Sequence, residues 1–290
     1  PPLPRVGLRD LTGKRVLGYV SWHKRRKYEH RAAVLDSLVT DLTRQAPDHV
    51  ALTGDLTNLG LPAEFDRVDR WLARLGPIGS VTVVPGNHDA YAPASLPAMW
   101  RALGRWLRDD TGADGFPLLH VRAGIAFIGV STAVPTGLGQ ARGRVGDRQL
   151  ARLEEILRRT AARGLSRVLL LHHPPQAGAD IARRGLDDAP AVRATIASVG
   201  AELILHGHTH RSGRAVLAGS SGPVPVYGVA SASLRTAEAH GQGHYRLFRP
   251  RRGGGFHVED RFFDPVRGVF AAAGATADHG FPARAAGEGQ

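Results

Sequence analysis

The chain has 290 residues, of which 42% are hydrophobic, enough to bury one large core. No apolar run approaches the ~20 residues of a membrane-spanning helix, and no secretory signal pattern opens the chain. We therefore expect a cytoplasmic protein. The absence of cysteine excludes disulfides and thiolate metal sites, and the formal net charge of +12 favours anionic partners.

Helical and strand-like segments alternate along most of the chain. Apolar residues recur at helical spacing in five segments, which we predict to be helices: residues 28–45, 62–75, 94–107, 147–163 and 188–199. Short apolar runs bounded by Gly or Pro predict strands that lead into residues 50–55, 81–89, 168–175 and 203–210, with two further strands at 118–121 and 125–131. This alternation indicates an α/β fold with parallel strands.

The pattern changes in the last third of the chain. Residues 215–217, 224–229, 244–248 and 256–263 are predicted to be consecutive strands separated by Gly-rich turns, without helices between them. Parallel strands followed by an antiparallel run fit two sheets packed face to face with helices outside. We predict one domain over residues 1–265 and an Ala/Gly-rich tail over residues 266–290, of which residues 271–290 are expected to be loosely held.

Four of the predicted strands lead into residues that bind metal or handle phosphate. The sequences are VALTGD (50–55), VTVVPGNHD (81–89), VLLLHHPP (168–175) and LILHGHTH (203–210). Because ligands bind at the carboxyl ends of strands in open α/β sheets, we expect these side chains to gather at one rim. Tight turns there would be allowed by the glycines, which are Gly54, Gly86 and Gly207. A donor set of carboxylate, amide and imidazole suits Mn, Fe or Zn better than an all-oxygen magnesium site.

The order of these motifs resembles the calcineurin-like metallophosphoesterase superfamily. The finer pattern (LTGDLTNLG, VVPGNHDAY, LLHHPP, LHGHTH) is most similar to its bacterial branch of cyclic-nucleotide phosphodiesterase-like proteins, from about residue 15 to about residue 264. The resemblance implies a four-layer α/β/β/α sandwich, in which two packed mixed sheets are flanked by helices. It also implies a hydrolytic enzyme that uses two divalent metal ions.

By this resemblance, Asp55 bridges the two metal ions. The ligand set of the first ion is completed by Asn87, His172 and His208, and His210 is a ligand of the second ion. Two ions roughly 3.5–4 Å apart can polarise a phosphoryl oxygen and turn a bridging water into hydroxide.

The resemblance also implies two catalytic residues. His88 would contact the phosphoryl group as a transition-state stabiliser or general acid, and Asp89 would orient His88 by accepting its second N–H.

Two loops, at residues 135–146 and 174–185, follow strands and are expected to overhang the metals. A guanidinium group is suited to binding a phosphate. The arginines of these loops are Arg142, Arg144, Arg183 and Arg184. Arg142 is the candidate substrate contact among them. His173 is a second candidate, with a packing role as the alternative, and His206 is predicted to be a packing residue.

The sequence departs from the family pattern at its start. Family members open with a strand that ends in Asp-x-His and supplies two ligands to the ion that His210 binds. No Asp-x-His occurs upstream of Asp55; residues 15–23 imitate it loosely, with Ser21 where the carboxylate should be. We therefore expect that the first strand and its two ligands are missing from this chain, and that one metal site is incomplete.

The basic residues are concentrated in two runs, residues 24–27 and 246–252. Such runs are most often solvated faces. The alternative is docking on an anionic surface, either membrane headgroups or nucleic acid, by charge complementarity. Docking on headgroups would make the protein peripheral to a membrane. Nothing in the sequence indicates an obligate protein partner.

The function predicted from these residues is a dinuclear-metal-dependent phosphoesterase that hydrolyses a phosphodiester by metal-hydroxide attack. A cyclic nucleotide or another soluble diester is the expected substrate. One alternative is a hydrolase of phospholipid or lipid-A-precursor headgroups, which the basic runs favour. The other is a degenerate protein that holds one metal and binds a phosphate ligand.

Overall fold

The computed structural model describes residues 3–112, 115–235, 242–252, 255–273 and 277–279. The helices of more than one turn in these ranges are α1 (Lys14–Ser21), α2 (Ala32–Gln45), α3 (Pro62–Leu72), α4 (Ser95–Leu103), α5 (Asp147–Ala162) and α6 (Ala189–Val199). The strands are β1 (Val50–Leu52), β2 (Val81–Val83), β3 (Leu118–Arg122), β4 (Ile125–Gly129), β5 (Ser166–Leu170), β6 (Leu203–His206), β7 (Gly213–Gly219), β8 (Gly222–Gly228), β9 (His244–Pro250), β10 (Phe256–Asp264), β11 (Val269–Ala272) and β12 (Ala277–His279).

The larger sheet is mixed and has the strand order β3-β4-β5-β6-β8-β7. Strands β4, β5, β6 and β8 are parallel, and antiparallel β3 and β7 form its edges. Helices α5 and α6 cover one face, where Leu153, Leu157 and Ile196 pack in an apolar cluster with residues of the sheet. On the other face, Val168 and Leu170 belong to a second apolar cluster, which also contains Phe256 and Val258 of β10. The sheet is therefore buried on both sides.

The second β layer is divided into two sheets. Strands β1 and β2 form a parallel pair, whereas β10 pairs antiparallel with β9, β11 and β12. Apolar clusters join β1 and β2 to α3 and α4, and join β10 and β11 to α2. The predicted four-layer α/β/β/α arrangement is confirmed, but its second sheet is two separate sheets among the described residues.

A cavity of ≈ 600 Å³ lies between these two sheets and is lined by residues of both β1 and β9. In the described part of the chain, β1 pairs with β2 alone, so its other edge faces this cavity. All three residues of β1 are consequently only half-buried, although the apolar run predicted a fully buried strand.

Three predicted helices are shorter than the sequence pattern indicated, and the one predicted over residues 62–75 ends at Leu72. The helix predicted from residue 28 begins at Ala32, because His30 forms a β-bridge with Leu234 and Arg31 is extended. The helix predicted over residues 94–107 ends at Leu103 and continues as a 3₁₀ turn, Gly104–Trp106. The tighter turn keeps Trp106 buried in the core without a continuous α-helix.

The end of the domain also differs from the prediction. The stretch 266–290 was predicted to be a tail, loosely held from residue 271, yet β11 and β12 within it pair with β10. Alternating burial along β11, where Phe270 packs on Phe263 and Val34, explains why this short Ala-rich segment is held. Residues 274–276 and 280–290 lie outside the described ranges. No described helix is long and apolar enough to cross a membrane.

Candidate metal centre

The four predicted ligand motifs follow strands that end on the same side of the fold. Asp55 follows β1, Asn87 follows β2, His172 follows β5 and His208 follows β6. Strands β1 and β2 are parallel neighbours, and so are β5 and β6. Because the two pairs belong to facing layers, their carboxyl ends bring a carboxylate, an amide and two imidazoles together. The expectation of one shared rim is confirmed for these four residues.

The donor atoms of these residues lie close to one another. The Nε2 atom of His172 is 3.4 Å from Asp55 Oδ2 and 3.2 Å from Asn87 Oδ1. The Nδ1 atom of His208 is 2.9 Å from Asn87 Oδ1 and 3.2 Å from His172 Nε2. Ligand atoms held ~2.0–2.2 Å from one metal ion are themselves roughly 3.0–3.6 Å apart. The spacing of the donors therefore fits a single divalent ion.

The amide is essential to this cluster. Among the described residues, no three carboxylate, imidazole or thiol side chains lie close enough together to hold a metal ion by themselves. The Oδ1 atom of Asn87 links the two imidazoles and completes the set, and the Asn87 side chain is almost fully buried. A mixed set of this kind fits Mn, Fe or Zn, as the sequence predicted.

The ring of His172 is oriented by the backbone. Its Nδ1–H donates to the carbonyl oxygen of Thr53 at 2.6 Å, so that Nε2 faces Asp55 and Asn87. Burial lowers the pKa of His172, but the neighbouring Asp55 carboxylate outweighs it and leaves the pKa above its usual value. The pocket thus stabilises positive charge at this nitrogen, which is the position that a cation would take.

Three predicted ligands have strained backbones. Asp55, His208 and His210 have φ values of 58°, 66° and 56°, in the left-handed region that non-glycine residues seldom adopt. Such strain persists where the surrounding structure over-determines it, commonly at functional sites. It is a sign of function that the sequence could not show.

Glycines let the ligand loops approach each other. Gly54 has φ of 97°, and a Cβ at that position would lie 2.8 Å from His172 Nδ1. Gly86 has no positive φ, but its Cβ would lie 2.2 Å from Asp55 Oδ1. Gly86 was predicted to allow a tight turn, and the structure adds that a glycine is required there by close packing between two ligand loops.

His88 lies beside the donor cluster. Its backbone N–H donates to Asp55 Oδ1 at 2.9 Å, and its Nδ1–H donates to the carbonyl oxygen of Asn58 at 2.7 Å. The guanidinium of Arg26 contacts His88 Nε2 at 3.0 Å. Burial, partly opposed by Asp55 and reinforced by Arg26, lowers the pKa of His88 to about 4. At neutral pH this imidazole is uncharged, and Arg26 carries the positive charge.

The predicted role of Asp89 is corrected by its hydrogen bonds. Its Oδ1 accepts from the backbone N–H and the hydroxyl of Thr57, and its Oδ2 accepts from the N–H groups of Leu56 and Gly86. The partner that orients His88 is instead the Asn58 carbonyl. Asp89 is fully buried, and it ties the loop after β1 to the loop after β2. It is a positioning residue for the ligand loops.

His173, one of the two predicted substrate contacts, is not placed as expected, whereas the contact of Arg142 with a substrate stays a prediction. His173 is fully buried, with Nδ1 2.7 Å from Thr132 Oγ1 and Nε2 3.0 Å from the carbonyl oxygen of Ala141. Because both of its nitrogens have protein partners, His173 packs and does not bind substrate. Arg142 lies 3.5 Å from Asp187, so its charge is partly neutralised. His206 is buried and contacts Gln176, as predicted for a packing residue.

His210 lines the same cavity as Asp55, His172 and His208. Its side chain is exposed, and its ring is edge-on to that of His30 with 6.5 Å between the ring centroids. The segment that loosely imitates Asp-x-His is helical, comprising α1 and the π-helical turn Trp22–Arg26. It therefore forms no ligand strand.

Metal content tests this division of ligands. We expect the purified protein to hold one divalent ion tightly, because one complete donor set converges, and to hold a second ion weakly. Metal analysis after extensive dialysis should give close to one equivalent per chain. Two equivalents that resist dialysis would contradict the assignment.

Sequence reasoning missed two residues of the site. Arg26 was taken as part of a surface basic run, yet it reaches His88. Asp180, in the loop at 174–185, has its Oδ2 3.3 Å from His208 Nε2 and 3.3 Å from Arg184 Nε. It faces the second nitrogen of a predicted ligand, a common way of orienting metal-binding histidines. No sequence pattern marks either residue.

Comparisons with known proteins show the family to which the chain belongs. A family model described as Calcineurin-like phosphoesterase matches residues 22–212. Over 200 residues the chain is 32% identical to a cAMP/cGMP dual specificity phosphodiesterase from Mycobacterium tuberculosis, covering 66% of this chain and 56% of that protein. It is 29% identical over 175 residues to a probable cyclic nucleotide phosphodiesterase from Synechococcus sp., covering 59% of this chain and 61% of that protein.

A solved structure shares the fold. The crystal structure of a dimetal phosphatase from Danio rerio aligns with a TM-score of 0.51 at 16% identity, covering 79% of this chain and 84% of the other. The chain spans 56% and 61% of the two curated relatives, so it corresponds to only part of their length. Because the family match covers well over half of the chain, the protein belongs to the calcineurin-like phosphoesterase family.

Proposed function

We propose that the protein hydrolyses a phosphodiester, and that its substrate is a soluble diester such as a cyclic nucleotide. The observation that carries this proposal is the convergence of donor atoms from Asp55, Asn87, His172 and His208, with His88 and Arg26 beside them. The names of the two curated relatives support the choice of a cyclic nucleotide.

The divalent ions of the proposed dinuclear site, with Mn, Fe or Zn as candidates, would supply Lewis acidity toward a phosphoryl oxygen and lower the pKa of bound water. The residues of the chain supply orientation and charge. Arg26 places a guanidinium where it can bind a phosphoryl oxygen of the substrate. Neutral His88, held through Nδ1 by the Asn58 carbonyl, presents Nε2 on the same side.

Substrate preference tests the proposal. With Mn²⁺, the protein is expected to hydrolyse bis(p-nitrophenyl) phosphate and a cyclic nucleotide faster than p-nitrophenyl phosphate. One guanidinium beside a neutral imidazole matches the single charge of a diester better than the double charge of a monoester. Initial rates at equal substrate concentration give the comparison. A clear preference for the monoester would refute the proposal.

The headgroup-hydrolase alternative has one structural observation in its favour. Helix α1 exposes Val16, Leu17 and Val20 to solvent near the site. Activity that requires lipid micelles would favour this alternative over a soluble diester.

A further inference from the structure

Helix α1 carries an exposed apolar face. Val16, Leu17 and Val20 are 43%, 57% and 42% exposed. At about 100° per residue these three positions fall within roughly one third of the helix circumference. Arg15 and Gly18, on the opposite side, are buried. The helix is therefore amphipathic, and its outer face is aliphatic where a solvent-facing helix is ordinarily polar.

The inner face of α1 is tightly held, so this exposure is built into the fold. The guanidinium of Arg15 donates to the carbonyl oxygens of Leu59 and Gly60 at 3.1 and 3.0 Å and to Ser95 Oγ at 3.1 Å. A Cβ on Gly18 would lie 2.5 Å from the Tyr91 hydroxyl, so the helix packs directly on that ring. Rotating α1 to bury its aliphatic face would break these contacts.

Positive charge directly follows the apolar face. Lys24 and Arg25 are exposed in the turn after α1, and no acidic residue occurs between Asp10 and Glu29. Tyr28, 56% exposed, lies at the end of this stretch. Arg25 lies 3.4 Å from Glu29, yet its side chain remains 73% exposed. In the second basic run, by contrast, Arg246 is buried against Asp260 and Arg249 pairs with Glu259 at 2.9 Å. Exposed apolar and cationic groups therefore coincide at residues 14–28.

This surface borders the metal centre. At one end of α1, Lys14 Nζ donates to Thr136 Oγ1 at 2.8 Å and to the carbonyl oxygen of Gln140 at 2.7 Å, beside Leu138, which is 64% exposed. Beyond the other end, Arg26 reaches His88. A surface bound to α1 would lie next to the opening of the site.

We infer that residues 14–28 form a docking surface for an anionic membrane, with the aliphatic side chains of α1 entering the headgroup region and Lys24 and Arg25 contacting anionic lipid. An interfacial helix combines these two groups in this way, and each basic residue adds attraction to an anionic leaflet. Nucleic acid would use the cations alone and would give no role to the exposed aliphatic residues. The inference does not depend on the proposed activity.

Vesicle binding tests the docking surface. Co-sedimentation of the full chain with phosphatidylcholine vesicles containing about one-third phosphatidylglycerol should show binding that weakens with salt. Binding to pure phosphatidylcholine should be at least tenfold weaker. The variants L17S/V20S and K24Q/R25Q should each weaken binding to the anionic vesicles at least fivefold. All of these side chains are exposed, so thermal unfolding should be unchanged.

A matched control removes exposed apolar side chains elsewhere. Val216 and Val266 are 63% and 94% exposed on other parts of the fold, and V216S/V266S should bind vesicles like the parent protein. Three results would overturn the inference: no binding to anionic vesicles, unchanged binding by both α1 variants, or an equal loss in the control. Binding of single-stranded RNA that K24Q/R25Q abolishes and L17S/V20S leaves intact would identify a nucleic-acid surface instead.

Discussion

Replacing His88 by alanine should leave metal content near normal and lower turnover by ~10²–10³, the usual effect of disturbing one charge-stabilising donor, here the Arg26 guanidinium that contacts His88 Nε2. His88 borders the donor cluster through its backbone N–H to Asp55, and its imidazole points to Asn58 and Arg26. Asn87→Ala should instead lose metal, because the Asn87 amide oxygen joins the two imidazoles. Metal analysis and diester hydrolysis by both variants give the comparison.

The contrast between these neighbouring residues is the informative result. If both variants lose metal, His88 is a ligand; if both keep it, Asn87 is not one. The conservative variant Asn87→Asp retains an oxygen donor and should recover metal relative to Asn87→Ala. A fold disrupted at this loop would instead show in the thermal unfolding of all three variants.

Adding one methyl group at Gly86 should disable the metal centre. A Cβ there would lie 2.2 Å from Asp55 Oδ1 and 2.7 Å from His172 Cε1, closer than van der Waals contact allows. Gly86→Ala must therefore displace two predicted ligands, and we expect loss of the tightly held metal. Overpacking of this kind costs roughly 1–3 kcal/mol of unfolding free energy, which urea denaturation of the metal-free protein would measure.

Gly137 is a suitable control for that substitution. It lies in the loop at 135–146, where a Cβ would meet no atom within 4 Å, and its φ is not positive. Gly137→Ala should keep both stability and metal content. Metal content in Gly86→Ala equal to that of the control would show that the two ligand loops do not need this close approach.

Helix and strand positions were largely predictable because they depend on local periodicity. The errors occur where a distant residue intervenes. The helix predicted over residues 28–45 begins only at Ala32, because His30 pairs with Leu234, more than two hundred positions away. Likewise, β11 is held by its pairing with β10 and by Phe270 packing on Phe263. Composition alone marked this stretch as a tail, since an Ala/Gly-rich segment has little apolar surface of its own to bury.

For the site, the sequence by itself determined which residues converge, because Asp55, Asn87, His172 and His208 each follow a strand, and parallel strands end at a common edge. Only the tertiary structure decided what surrounds them. Asp89 was predicted to orient His88 and instead holds the loops after β1 and β2, while Asn58 performs that role. Arg26 enters the site from a segment that looked like solvated surface. Ligand positions follow from strand ends, whereas orienting hydrogen bonds and charge contacts depend on how separate layers pack, which no local pattern encodes.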